Sequence, residues 1–133
     1  MTHNLGNKQK DAGGYWPEKT LFISKEQDDT ALLSYTKGWF DFIEISNEIY
    51  IQHRDSGKYL GTNGIDNLLR FVSDKSEWTQ FVYLRHSRQA NEILFQKDKS
   101  GFNQNGDLIY IGNQDKRAEI HFYRGNETSG HDF

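Results

Sequence analysis

The chain contains no cysteine, one proline and one methionine among 133 residues. Without cysteine there is no disulfide to staple a small core and no thiolate for a zinc or redox site, which points to a reducing compartment or a fold that needs no cross-link. With a single proline, the turns must draw on the 12 glycines and on Asn and Asp, residues that accept left-handed backbone angles. No apolar run approaches the ~20 residues a membrane-spanning helix needs. The opening segment MTHNLGNKQKDAGG lacks the apolar centre of a signal peptide, so the expected location is the cytoplasm, or export without a signal peptide. Excess positive charge is missing too. There are 16 Lys and Arg against 19 Asp and Glu, a net charge of −3. Arg85, His86 and Arg88 form the nearest approach to a basic cluster, and a short solvated loop accounts for them. Nucleic acid and anionic membrane are therefore not expected as partners.

Chemistry-bearing motifs are equally sparse. His3, His53, His86, His121 and His131 show no close metal-ligand spacing, and no metal or cofactor is expected. There is no Gly-x-Ser-x-Gly elbow, Walker loop or Gly-x-Gly-x-x-Gly run. The aspartates fall mostly at turns, where their side chains bond nearby backbone N–H groups. No catalytic residue is expected, and the chain reads as a non-enzyme. Asn126-Glu127-Thr128 matches a glycosylation sequon, which carries little meaning without a signal peptide.

What the chain does have is aromatic side chains, 9 Phe, 7 Tyr and 3 Trp, which suit a pleated, half-buried surface and favour an all-β fold. It also repeats itself. Asn47-Glu48-Ile49-Tyr50-Ile51 recurs as Asn91-Glu92-Ile93-Leu94-Phe95, and at the same shift Ser56-Gly57 recurs as Ser100-Gly101. One further step back reaches Gly13 and Tyr15, so Gly13, Gly57 and Gly101 are expected to be symmetry mates. Trp39-x-x-Phe42, Trp78-x-x-Phe81 and Glu119-x-x-Phe122 close the units, and Trp39, Trp78 and Phe122 are expected in the core.

Three units of about 44 residues fill the chain, roughly 1–45, 46–88 and 89–133. Three is the number that closes a β-trefoil, a six-stranded barrel capped by three hairpins. Each unit alone has too little core to be stable, so closure buries the shared apolar face. The expectation is a single β-trefoil domain over 1–133. A fatty-acid-binding type of barrel, the main alternative, would show ten even strands and no threefold period. The poorest copy is the first unit, whose opening strand around Leu5 has almost no apolar content and whose segment 26–35 would also support a helical turn.

IYIQHRDSGKYLGTNG and NLLRFVSDKSEWTQFVYL resemble trefoil units of fascins and fibroblast growth factors, most strongly over 47–84. The resemblance implies loops that recognise a protein or a glycan. The Gln-x-Trp motif of ricin-type lectins is absent, as is a basic C-terminal cluster like that of the growth factors.

Two roles follow. One is a lectin-like module binding carbohydrate through the loops 13–16, 55–58 and 103–107. Its expected ligand-binding residues are Tyr15, Trp16, Asp55, Lys58, Asn63, Asn103, Asn105 and Asp107, amide, carboxylate and ammonium groups beside stacking rings. The other is a fascin-like or cytokine-like protein-binding module, for example for actin. An enzyme or inhibitor role has the least support.

Overall fold

The computed structural model describes residues 2–9, 19–84, 92–112 and 118–126. Thirteen strands are found there: β1 (Thr2–Gln9), β2 (Lys19–Lys25), β3 (Ala31–Ser34), β4 (Phe40–Ile45), β5 (Glu48–His53), β6 (Tyr59–Gly61), β7 (Arg70–Val72), β8 (Gln80–Tyr83), β9 (Ile93–Phe95), β10 (Phe102–Asn105), β11 (Leu108–Ile111), β12 (Ala118–Ile120) and β13 (Tyr123–Asn126). Every strand pair is antiparallel.

Six of these strands close into a ring. β1 meets β4 at His3–Phe40, β4 meets β5 from Phe40–His53 to Ile45–Glu48, and β5 meets β8 at Ile49–Phe81. The ring continues through β8 and β9 at Phe81–Phe95, and reaches β13 at the Glu92–Tyr123 bridge, where the Ile93 N–H donates to the Phe122 carbonyl (3.1 Å). β13 returns to β1 from Gly6–Tyr123 to His3–Asn126. A closed ring leaves no unpaired edge within it.

The hairpins β2–β3, β6–β7 and β10–β11 cover one end and bond to one another in cyclic order. Leu33 N–H donates to Asp107 O (2.9 Å), Phe71 N–H to Asp29 O (2.8 Å) and Ile111 N–H to Asn67 O (2.8 Å). A six-stranded ring under a triangle of hairpins is the β-trefoil. The core repeats by threes as well: Phe40, Phe81 and Phe122; Ile23, Leu60 and Phe102; Leu33, Phe71 and Ile111; Ala31, Leu69 and Ile109, all at most 4% exposed. Burial of each such Phe, Leu or Ile contributes about 1.5–3 kcal/mol.

The structure departs from the sequence reading in four places. First, Gly57 and Gly101 are not equivalent. His53 N–H donates to Lys58 O (2.7 Å) and Phe95 N–H to Ser100 O (2.9 Å), which matches Gly57 (φ +73°) with Lys99 (φ +58°). The cause lies in β9. Ile49 and His53 flank the ring in β5 four residues apart, whereas Ile93 and Phe95 in β9 are two apart. Gly13 lies outside the described residues.

Second, Phe40 rather than Phe42 fills the core; Phe42 and Trp39 are only partly buried. Third, segment 26–35 forms bends and strand β3 rather than a helical turn, and a short 3₁₀ turn appears instead at Glu77–Thr79. Fourth, the closing segment around Glu119-x-x-Phe122 is split into β12 and β13, with residues 121–122 between them.

β1 is the surprise. It buries Thr2, His3, Asn4 and Asn7 around Leu5. His3 Nδ1 bonds to Gly125 O (3.1 Å) and its ring stands edge-on to Phe42. Neither side-chain polar atom of Asn4 finds a hydrogen-bond partner among the described residues. Backbone pairing on both sides holds this polar strand in the ring.

Candidate functional site

The expected ligand-binding residues do not converge. Tyr15 and Trp16 lie outside the described residues. Asp55 is exposed in the β5–β6 turn. In the same turn Lys58 donates to both carboxylate oxygens of Asp29 (2.8 and 2.9 Å), which holds Asp29 below the usual carboxylate range. Asn63 Oδ1 accepts the Ile65 and Asp66 N–H groups (2.8 and 3.2 Å), a turn-forming role. Asn105 and Asp107 flank Gly106 (φ +63°) at the exposed tip of β10–β11, where the Asp107 carbonyl serves the hairpin triangle. Asn103 is buried and donates to Phe102 O (3.2 Å), yet it does line a groove. These side chains mostly build turns, because the property that made them look recognitional also makes them good turn formers.

A groove of ≈ 540 Å³ lies between the second and third units, lined by Thr62, Asn67, Trp78, Phe95, Lys97, Asp98, Ile111 and Gly112. Local chemistry builds each wall. Trp78 sits on the 3₁₀ turn, capped by Ser76, whose Oγ accepts the Trp78 N–H (3.1 Å) while Thr79 Oγ1 accepts the Ser76 N–H (2.9 Å). Gly64 (φ +79°) packs against the indole so closely that a Cβ there would lie 2.7 Å from Trp78 Cε2. Thr62 N–H donates to Trp78 O (3.1 Å), and its hydroxyl donates to Asp66 O (2.6 Å). Sequence spacing had placed Trp78 in the core. It does pack against the core, but it also forms a groove wall.

Across the groove the β9–β10 turn supplies the polar rim. Asp98 Oδ1 accepts the Ser100 N–H (3.0 Å) and the Ser100 hydroxyl. Lys97 Nζ lies 4.0 Å from the Trp78 ring centroid and 3.4 Å from Glu77 Oε1. Both ions of that pair are exposed, so moving the lysine off the ring costs about 0.5–1 kcal/mol, no more than a new ring contact returns. The lysine is thus met from within the protein, and Asp98 holds hydrogen bonds from Ser100 but no counter-charge among the described residues, which suits a neutral polar ligand better than an anion.

A smaller groove of ≈ 250 Å³ adjoins it, lined by Ser100, Gly101, Phe102, Asn103, Gly112 and Glu119. A third, of ≈ 180 Å³ at the β4–β5 turn, includes Glu44, Glu48 and Tyr83. The Tyr83 ring is taken up by Phe42 and by the Arg124 guanidinium, and its hydroxyl accepts from Arg124 (2.7 Å). Burial pushes the Tyr83 phenol up from its ordinary value. That site has little left to offer a ligand. Among the described residues no group of three or more His, Cys, Asp or Glu side chains is placed to hold a metal ion.

The trefoil frame recurs in solved structures of low sequence identity. The whole chain matches part of a GH43 β-1,3-galactosidase with a TM-score of 0.60 and 16% identity, and spans 28% of that protein's length. Over 95% of its length it matches SeviL bound to the asialo-GM1 saccharide, with a TM-score of 0.56, 11% identity and 97% of that chain covered. No family model and no curated protein matches the sequence. At such identities the likeness is one of fold.

Proposed function

We propose that this protein is a non-catalytic carbohydrate-recognition module, with its glycan site in the groove beside Trp78. The observation that carries the reading is the meeting of an indole with the Thr62 hydroxyl, the Asn67 amide and the Asp98 carboxylate around one groove whose lysine is already paired with Glu77. An aromatic face suits the C–H surface of a pyranose, and amide and carboxylate groups suit its hydroxyls. The Asn67 side chain is exposed and hydrogen-bonds to none of the described residues, so both its donors and its acceptor are open to a ligand. The two similar structures add support, one a galactosidase and the other bound to a saccharide.

The carboxylates speak against hydrolysis. Asp98 is tied to the Ser100 backbone and hydroxyl, and Glu119 borders the other groove, 3.5 Å from His121 Nε2. A protein-binding role of the fascin or cytokine kind would use an apolar patch. Among the described residues the large exposed apolar side chains, Tyr35, Ile45 and Ile65, come from three separate parts of the chain, and single exposed apolar residues are ordinary on a protein surface.

The test is a neutral-glycan array followed by calorimetry on the best binder. Binding that falls at least tenfold in Asn67→Ala is expected. Absence of any glycan binding at high protein concentration, or indifference to Asn67→Ala, would count decisively against the proposal; pull-down and actin co-sedimentation would then address the protein-binding role.

A further inference from the structure

The third unit differs from the other two at the base of its hairpin. At the base of each hairpin a pair of residues faces across the two strands. In the first unit the pair is Phe22 and Ser34, and in the second it is Tyr59 and Val72. In the third unit it is Gly101 and Gly112, joined by the Gly112 N–H donating to Gly101 O (2.9 Å). The assignment follows from the adjoining core pairs Ile23–Leu33, Leu60–Phe71 and Phe102–Ile111, which are one residue further in.

Gly112 has a backbone reason to be glycine, at φ +86°. Gly101 has none. Its φ lies outside the left-handed region, and a Cβ built on it meets nothing within 4 Å. Neither strain nor crowding excludes a side chain there. Gly112, likewise open above its Cα, borders both the larger and the smaller groove. Among the described residues the divide shared by the two grooves is the Gly112 backbone with Gly101 beside it, a low glycine saddle where the second unit carries a tyrosine and a valine.

We infer that the two grooves act as one trough that holds an extended neutral oligosaccharide, with consecutive sugar residues lying on either side of the Gly101–Gly112 saddle. This deepens the carbohydrate reading above and rests on it. Trp78, Asn67 and Asp98 hold one end of the chain, and the Ser100–Asn103 strand with Glu119 borders the other. Along the trough Lys97 is paired with Glu77, while the Asp98 carboxylate has no cationic partner among the described residues, so the trough disfavours an anionic chain and suits a neutral one. Among the described residues the first two units carry side chains at this pair, so the trough belongs to the third unit.

Calorimetric titration with neutral glycans of one, two, three and four residues, drawn from the best binder on an array, reads the inference directly. The expected result is an affinity at least tenfold higher for the tri- or tetrasaccharide than for the monosaccharide. Gly101→Tyr, which installs the residue the second unit carries, should remove that gain and leave monosaccharide affinity within twofold. Gly101→Val should remove part of it, and serves if the tyrosine variant melts early. Affinity independent of chain length, or a length gain that survives Gly101→Tyr in a folded variant, overturns the trough but leaves carbohydrate binding standing. Failure of every glycan to bind overturns both.

Discussion

Lys99 is held at φ +58° in the turn that carries Asp98 and Ser100, while its structural counterpart Gly57 sits at φ +73° in an otherwise matching turn. The left-handed region costs a non-glycine residue about 1–2 kcal/mol, and glycine in exchange loses about 0.5–1 kcal/mol of extra backbone entropy on folding. The Lys99 ammonium also donates to Gln96 Oε1 (2.6 Å), an exposed contact worth only a few tenths of a kcal/mol. Lys99→Gly should therefore stabilise by about 0.5–1 kcal/mol, a rise of about 2–5 °C in Tm for a chain of this length. Gly57→Lys should destabilise by a similar amount, and it does so through backbone alone because its Cβ meets open space. Urea unfolding and thermal melts of both variants measure the pair. If the two substitutions shift stability in the same direction, or Lys99→Gly destabilises, the matching of these two turns is wrong.

Three further predictions concern the barrel. Phe81→Ala removes a fully buried ring that faces Phe95 and Phe102, and should cost about 3–5 kcal/mol by urea unfolding; a loss below 1 kcal/mol would mean this core layer is not packed as described. Asn4→Val replaces a buried amide lacking partners among the described residues and should stabilise by about 1–2 kcal/mol, a sign that differential scanning calorimetry reads directly. His53 is held below its ordinary value of 6.5, first by burial, and its Nδ1 accepts the Ser56 N–H (3.3 Å). The unfolded chain then binds more protons than the folded one, so the stability from neutral His53 is present above pH 6.5 and declines as pH falls toward the lowered folded value. His53→Phe, the residue found at the matching position 95, should flatten this part of the pH–stability curve.

The threefold plan was legible because Glu48-Ile49 and Glu92-Ile93 both stand at the start of a ring strand, and that alignment holds in space. The continuation through Ser-Gly was misleading, since a two-residue shortening inside β9 leaves the surface motif in place and moves its structural meaning. β1 was nearly invisible because periodicity arguments weigh apolar residues, and this strand buries Asn and His under backbone pairing from both neighbours. Trp78 was read as core from its recurrence with Phe81. What marks it as a groove wall is Gly64 lying against its ring, a contact between residues 14 apart that no local spacing discloses. The Gly101–Gly112 saddle could have been noticed in sequence, but only with the register that the structure supplies.

Titration of a ¹⁵N-labelled sample with the best neutral glycan, followed by NMR, tests the central claim most directly. The account predicts shifts concentrated at the Trp78 indole N–H, the Asn67 side-chain amide and the backbone of Thr62, Asp98, Gly101 and Gly112. Shifts gathered on the β2–β3 hairpin of the first unit or at the β4–β5 turn, or none at saturating glycan, would contradict it.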